Sequence, residues 1–277
     1  MESRATRLLI GVGSAATLVF LYVPLVIVVI YAFNDSVGQA WPIPDYTTKW
    51  FGIAFRDVRV RTALVNSLEV AALATAIALI LGSAAAFAVH RFRFFGRNAV
   101  SFLLVLPIAL PGIVTAIALN ATINTVGKTL RLSFGVLTIV IGHATFCIVV
   151  VYNNVLARLR RTPTSLVEAS MDLGADGWQT FRHVTFPAIR TAVVAGGLLA
   201  FALSFDEIIV TNFTAGSTLT IPKFIYESVR LPHNRPVVNV VAMAVILVML
   251  IPVYLAQRLA GGADVASGAQ ARTVKEP

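Results

Sequence analysis

Six stretches of this chain are long and apolar enough to cross a hydrocarbon layer, which excludes most soluble folds at once. A membrane-crossing helix needs about 20 mainly apolar residues. The stretches run over about 8–33, 63–89, 99–123, 134–155, 188–210 and 237–256. Composition agrees, since 57% of the 277 residues are hydrophobic and 13% are charged, against roughly 25% charged in soluble domains. The expected fold class is an all-α membrane protein with six transmembrane helices. The organisation expected is one membrane domain over 1–260, followed by a loose polar tail over 261–277.

The first stretch follows Arg4 and Arg7, as a signal peptide would. Its apolar run is longer than the roughly 7–15 residues of a cleavable signal, so it reads as a retained helix. A net charge of +9 fits basic loops at a membrane face better than a nucleic-acid surface. With both termini in the cytoplasm, the inward segments carry the larger share of Lys and Arg, most sharply at 91–97 and 158–161. The first outer loop holds Trp41, Pro42, Pro44, Tyr46, Trp50 and Phe51, either an aromatic belt at the headgroups or a docking surface.

Several chemistries are missing. Gly127-Lys128-Thr129 imitates the end of a phosphate-binding loop, but Thr122 stands where its first glycine belongs. No nucleophile–base set, zinc motif or metal cluster is present, and the lone Cys147 cannot form an internal disulfide. His143 reads as a neutral hydrogen-bonder between helices. No catalytic residue, metal or cofactor is expected in this chain.

Residues 162–187 are the most informative segment. Ser165 and Glu168 have the spacing of a capping box. Leu166, Ala169, Ser170 and Leu173 then share a helix face. Gly174 suits a left-handed helix end. A second start is expected at Asp176 with Gln179, where Trp178 and Phe181 expose an aromatic edge. Pro187 suits the first turn of the fifth membrane helix. Two short helices with a glycine elbow result, and their apolar face needs a cover.

These residues carry a resemblance. Glu168-Ala169-Ser170, Gly174, Val184, Phe186 and Pro187 resemble the EAA motif of bacterial ABC-importer permeases, in which E-A-A and G are separated by three residues, and G and I-x-L-P by nine. Ser170, Val184 and Phe186 depart from it by small changes of volume. The chain is most similar to the second permease subunit of spermidine/putrescine importers. That similarity rests on Asn66-Ser67-Leu68, Arg91-Phe92-Arg93-Phe94, Pro107 with Pro111, the run from Gly142 to Cys147, and the run from Phe201 to Glu207. The resemblance implies a permease subunit of an ATP-driven importer in the bacterial inner membrane. Its implied partners are a second homologous permease, two cytosolic ATPase subunits that bind ATP and magnesium, an extracytoplasmic solute-binding protein and the lipid bilayer. Glu168, Ala169, Ser170, Leu173, Gly174, Trp178, Phe181 and Pro187 would then form the segment that couples to the ATPase.

Asp206 and Glu207 are the acids set well inside an apolar span. An ionised Asp at a helix centre is disfavoured by about 2.5–3.5 kcal/mol on insertion scales, so such residues face a wet path or a partner. None of the six apolar spans offers an internal Lys or Arg. Asp206 and Glu207, with their neighbour Phe205, are the candidate substrate-path residues for a small cationic solute. Successive helical residues point about 100° apart, so both acids address one point only if the helix unwinds there. The acids could instead hold a helix end or pair with a sister subunit. Alternatives at the level of function are a permease for another amine or amino-acid-like solute, and a secondary transporter.

Overall fold

A computed structural model describes residues 4–130 and 132–273. Among the described residues it is built from helices. In order these are α1 (Arg4–Ala32), α2 (Lys49–Arg56), α3 (Val58–Arg91), α4 (Arg97–Ala109), α5 (Gly112–Leu130) and α6 (Val136–Arg161), followed by α7 (Thr164–Asp172) and α8 (Gly177–Thr180). Then come α9 (Phe186–Asp206), α10 (Ile209–Thr214), α11 (Ile221–Ser228) and α12 (Arg235–Thr273). Five uninterrupted helical segments, containing α1, α3, α6, α9 and α12, are long and apolar enough to cross a membrane.

The third expected span is not one helix. It is split between α4 and α5, because Leu110 leaves the helix with φ −83° and ψ 143°. Pro111 is the cause: its ring disfavours helical backbone in the preceding residue. α12 continues to Thr273. No proline interrupts residues 253–273, and alanine recurs through their last part, so local propensity favours helix there.

The chain divides into two compact units. One comprises residues 1–61 and 224–248. In it α1 has only 6% of its apolar window buried, so lipid or another protein must cover it. The loop after α1 is fastened at Asn34, which is buried. Its side chain accepts from Ser36 N at 2.8 Å, and its carbonyl accepts from Trp50 Nε1 at 2.9 Å. Phe51 packs on Phe33 at 5.1 Å between ring centres. Trp50 and Phe51 therefore serve the fold, while Trp41 and Tyr46 point outward, 75% and 67% exposed.

The other unit comprises residues 62–223 and 249–277. Its core joins α3, α6 and α9 through Ala78, Ala86, Val89, Cys147, Val151, Tyr152, Val155, Ile189 and Ala200. Hydrocarbon provides little hydrophobic drive between helices, so close packing of small residues takes over. On α3 the stripe Ala71, Ala74, Ala78, Gly82 and Ala86 is buried. A Cβ at Gly82 would lie 2.8 Å from the Ile148 carbonyl oxygen on α6. Glycine is required there by that approach.

Candidate functional site

Two places in the second unit bring the sequence's candidate residues together. The first is the end of α9. Glu207 leaves the helix with φ −74° and ψ 116°, and the chain re-enters helix at Ile209. The unwinding that two neighbouring acids would need is present. The two carboxylates differ in what they touch. Glu207 Oε1 accepts from Ile209 N at 2.7 Å and Val210 N at 3.0 Å, and so caps α10. A carboxylate there satisfies two amides that the helix leaves open. Asp206 is exposed, and its carboxylate has no hydrogen bond or ion pair among the described residues. Phe205 is 2% exposed and its ring stacks on Phe201 at 6.2 Å. It is part of the packed interior.

His143 fixes this break from below. It is buried on α6, with Nδ1 at 2.8 Å from Ser204 Oγ on α9 and Nε2 at 2.9 Å from Thr211 Oγ1 on α10. The Thr211 hydroxyl donates to the Glu207 carbonyl at 2.7 Å, so its oxygen accepts from His143 and Nε2 carries the proton. The imidazole ties both helix ends to α6, as the sequence suggested. Gly142 beside it allows this contact: a Cβ there would lie 2.7 Å from Val210 Cγ1. Around it, Asn120 Nδ2 donates to the Phe213 carbonyl at 2.6 Å and Thr138 Oγ1 to the Thr214 carbonyl at 2.7 Å. Sequence reasoning missed these ties because they join residues 76 and 93 positions apart.

The second place is the segment after α6. Its glycine elbow forms as expected. Gly174 has φ +86°, Gly174 N donates to the Met171 carbonyl at 2.9 Å, and Ala175 N donates to the Ser170 carbonyl at 3.1 Å. This double closure of a helix end needs a left-handed residue, which glycine supplies without steric penalty. Asp176 and Gln179 form the expected reciprocal cap, at 2.7 and 3.0 Å.

The start of α7 is a correction. Pro163, not Ser165, occupies the cap position, and no side chain caps that end. The ring fixes φ near the helical value and has no N–H to satisfy, so the helix begins just after it. Glu168 instead lines a cavity of about 380 Å³ with Phe87, His90 and Arg91 of α3, Thr162 and Phe181. Phe181 is also not an outward edge: its ring meets Phe87 edge-on at 5.4 Å. Trp178 stacks on it at 5.6 Å yet stays 66% exposed.

The fifth membrane helix does not start afresh at Pro187. A single apolar rod runs over Gly177–Asp206, with a π turn at Phe181–Thr185 joining α8 to α9. Pro187 cannot donate to the His183 carbonyl, and a widened turn directly before it absorbs that loss. Ser170 joins α7 to the rod by a 3.1 Å hydrogen bond to Thr180. Leu173 at the elbow is 90% exposed, and Leu166 is 51% exposed. The outer face of α7 is therefore uncovered, as its apolar pattern suggested.

Residues 78–261 match the family described as binding-protein-dependent transport system inner membrane component. The chain is 36% identical to the putrescine transport system permease protein PotI of Escherichia coli (strain K12), over 82% of each chain. It is 32% identical to the spermidine/putrescine transport system permease protein PotC of the same organism, over 92% of this chain and 94% of that one. A bacterial alginate ABC transporter, solved in complex with an alginate pentasaccharide-bound periplasmic protein, contains a chain of the same fold. It has a TM-score of 0.67 at 18% identity, over 91% of this chain and 92% of that one.

Proposed function

This chain belongs to the binding-protein-dependent transport system inner membrane components, and from that membership we propose that it forms half of an ATP-driven import path for a polyamine of the putrescine or spermidine type. It is a multi-pass inner-membrane permease subunit and not an enzyme. In the proposed assembly it pairs with a second permease, two ATPase subunits that bind ATP and magnesium, and an extracytoplasmic solute-binding protein. Both termini face the cytoplasm, which places α7 and α8 on the side of the ATPase.

The observation that carries the solute assignment is Asp206: an unpartnered carboxylate at a helix break, near the end of an apolar rod. A carboxylate fixed in a low-dielectric passage attracts a cation strongly. Glu207 is the positioning residue, since its own carboxylate is engaged in holding α10. Glu168, Ala169, Ser170, Leu173, Gly174, Trp178, Phe181 and Pro187 belong to the coupling segment. Leu173 and Trp178 offer the surface that an ATPase cleft would cover. Ser170 ties α7 to the α8–α9 rod and Phe181 packs that rod on Phe87 of α3, and rigid-body movement of such a lever passes into the membrane helices.

The test is ATPase activity of the reconstituted complex with its binding protein, across putrescine, spermidine, other small amines, and uncharged and anionic controls. Stimulation by the di- and triamines alone is expected. Equal stimulation by an uncharged solute would overturn the assignment.

A further inference from the structure

We propose that the turn between α3 and α4 is a binding surface for an anionic phospholipid headgroup, at the membrane face that carries α7. Five residues separate these helices, and with their flanks they read Arg91-Phe92-Arg93-Phe94-Phe95-Gly96-Arg97. Basic and aromatic side chains alternate in this turn, and both kinds are on the outside. Phe92, Phe94 and Phe95 are 60%, 41% and 106% exposed. Left in water, each forgoes much of the benefit of burying a phenyl ring.

The charges converge. Arg93, Phe94, Gly96, Arg97 and Asn98 surround an open hollow of about 480 Å³. Arg91, Arg97 and Arg160 of α6 lie close enough to act together on His90. None of Arg91, Arg93, Arg97 and Arg160 has an ion pair among the described residues. Glu168 lines the neighbouring cavity with Arg91 without pairing to it. Arg93 and Arg97 line the hollow without an ion pair, and an anion seated there would be attracted by both. Arginine's planar fork suits a phosphodiester in particular.

Position decides for lipid over a soluble anion or a protein. Phe102 and Leu103 on α4 are 67% and 61% exposed. They follow Arg97 by five and six residues, about 7–9 Å along the helix. The apolar surface that belongs in hydrocarbon therefore begins within a headgroup's thickness of the arginines. Phenyl rings sunk at that boundary with guanidinium groups at the phosphate level match an interfacial anchor, and each basic residue near an anionic surface contributes about 1 kcal/mol. This inference needs only the membrane location, and no particular solute.

The experiment is native mass spectrometry of the full chain, titrated with phosphatidylglycerol and separately with phosphatidylcholine. Wild type should hold phosphatidylglycerol preferentially. R93Q/R97Q should lose roughly ten- to thirty-fold of that retention, with phosphatidylcholine unaffected, and R93K/R97K should keep most of it. Equal phosphatidylglycerol retention in wild type and R93Q/R97Q would overturn the proposal. So would unchanged lipid retention accompanied by loss of the ATPase subunits on purification, which would make the turn a protein contact. An R93Q/R97Q chain that fails to fold would also fail to bind phosphatidylcholine, and F95A then supplies the comparison, expected to weaken retention of both lipids.

Discussion

Asp206 and Glu207 are adjacent in sequence, but the fold leaves only the first carboxylate without a partner. Asp206→Asn should therefore lower amine uptake at least about tenfold while the yield and melting temperature of the complex stay as in wild type. Uptake in proteoliposomes beside thermal unfolding checks both halves. Glu207→Ala should act differently, because it removes the carboxylate that caps α10. Loss of a helix cap destabilises by about 1 kcal/mol, so both stability and uptake should fall. His143→Ala strands the Ser204 hydroxyl, while Thr211 keeps its bond to the Glu207 carbonyl, and a buried polar group left unsatisfied destabilises by about 1–3 kcal/mol. A clear drop in the unfolding midpoint is expected there. The acids and the histidine were legible in the sequence because charge or imidazole inside an apolar run is conspicuous. The division of roles was not, since it depends on Thr211 and on backbone amides that a linear reading cannot place beside them. The burial of Phe205 was not legible for the same reason: proximity in sequence to Asp206 says nothing of which way its ring turns.

The elements followed the sequence where their determinants are local. Gly174 and the Asp176–Gln179 pair are settled by hydrogen bonds that close over five residues or fewer, so both turns could be foreseen. The Ser165–Glu168 box obeyed the same pattern and failed, because Pro163 two positions upstream decides the start of α7. Pro111 broke a span that hydropathy alone read as continuous, and Pro187 introduced a π turn rather than a new helix. Gly174→Ala places a Cβ in a left-handed position, which is disfavoured by about 1–2 kcal/mol. It should reduce solute-stimulated ATPase activity while the chain still inserts and assembles, as judged by co-purification of the subunits. At the contact of α6 with α10, Gly142→Ala would press against Val210. Overpacking of this kind destabilises by about 1–3 kcal/mol, which should appear as a lower unfolding temperature.

For the whole molecule, fold and cargo are separate matters. A chain of the same fold belongs to a transporter of the acidic polysaccharide alginate, so the helix arrangement alone does not set the sign of the solute; in the proposed function that falls to the side chains at the helix break. What the fold supplies is continuity: α7, the elbow at Gly174 and the rod ending at Asp206 form one connected path from an exposed apolar knob to an unpartnered acid, which the proposed function uses as a lever. Cys147 is buried, so within this chain a single cysteine added at the knob is the accessible thiol. The decisive measurement is thiol cross-linking of Leu173→Cys in the assembled complex. The account predicts a product joining this chain to the ATPase subunit, in a yield that changes when ATP is added. A cysteine at position 173 that labels freely in the intact complex and captures no ATPase subunit would contradict it.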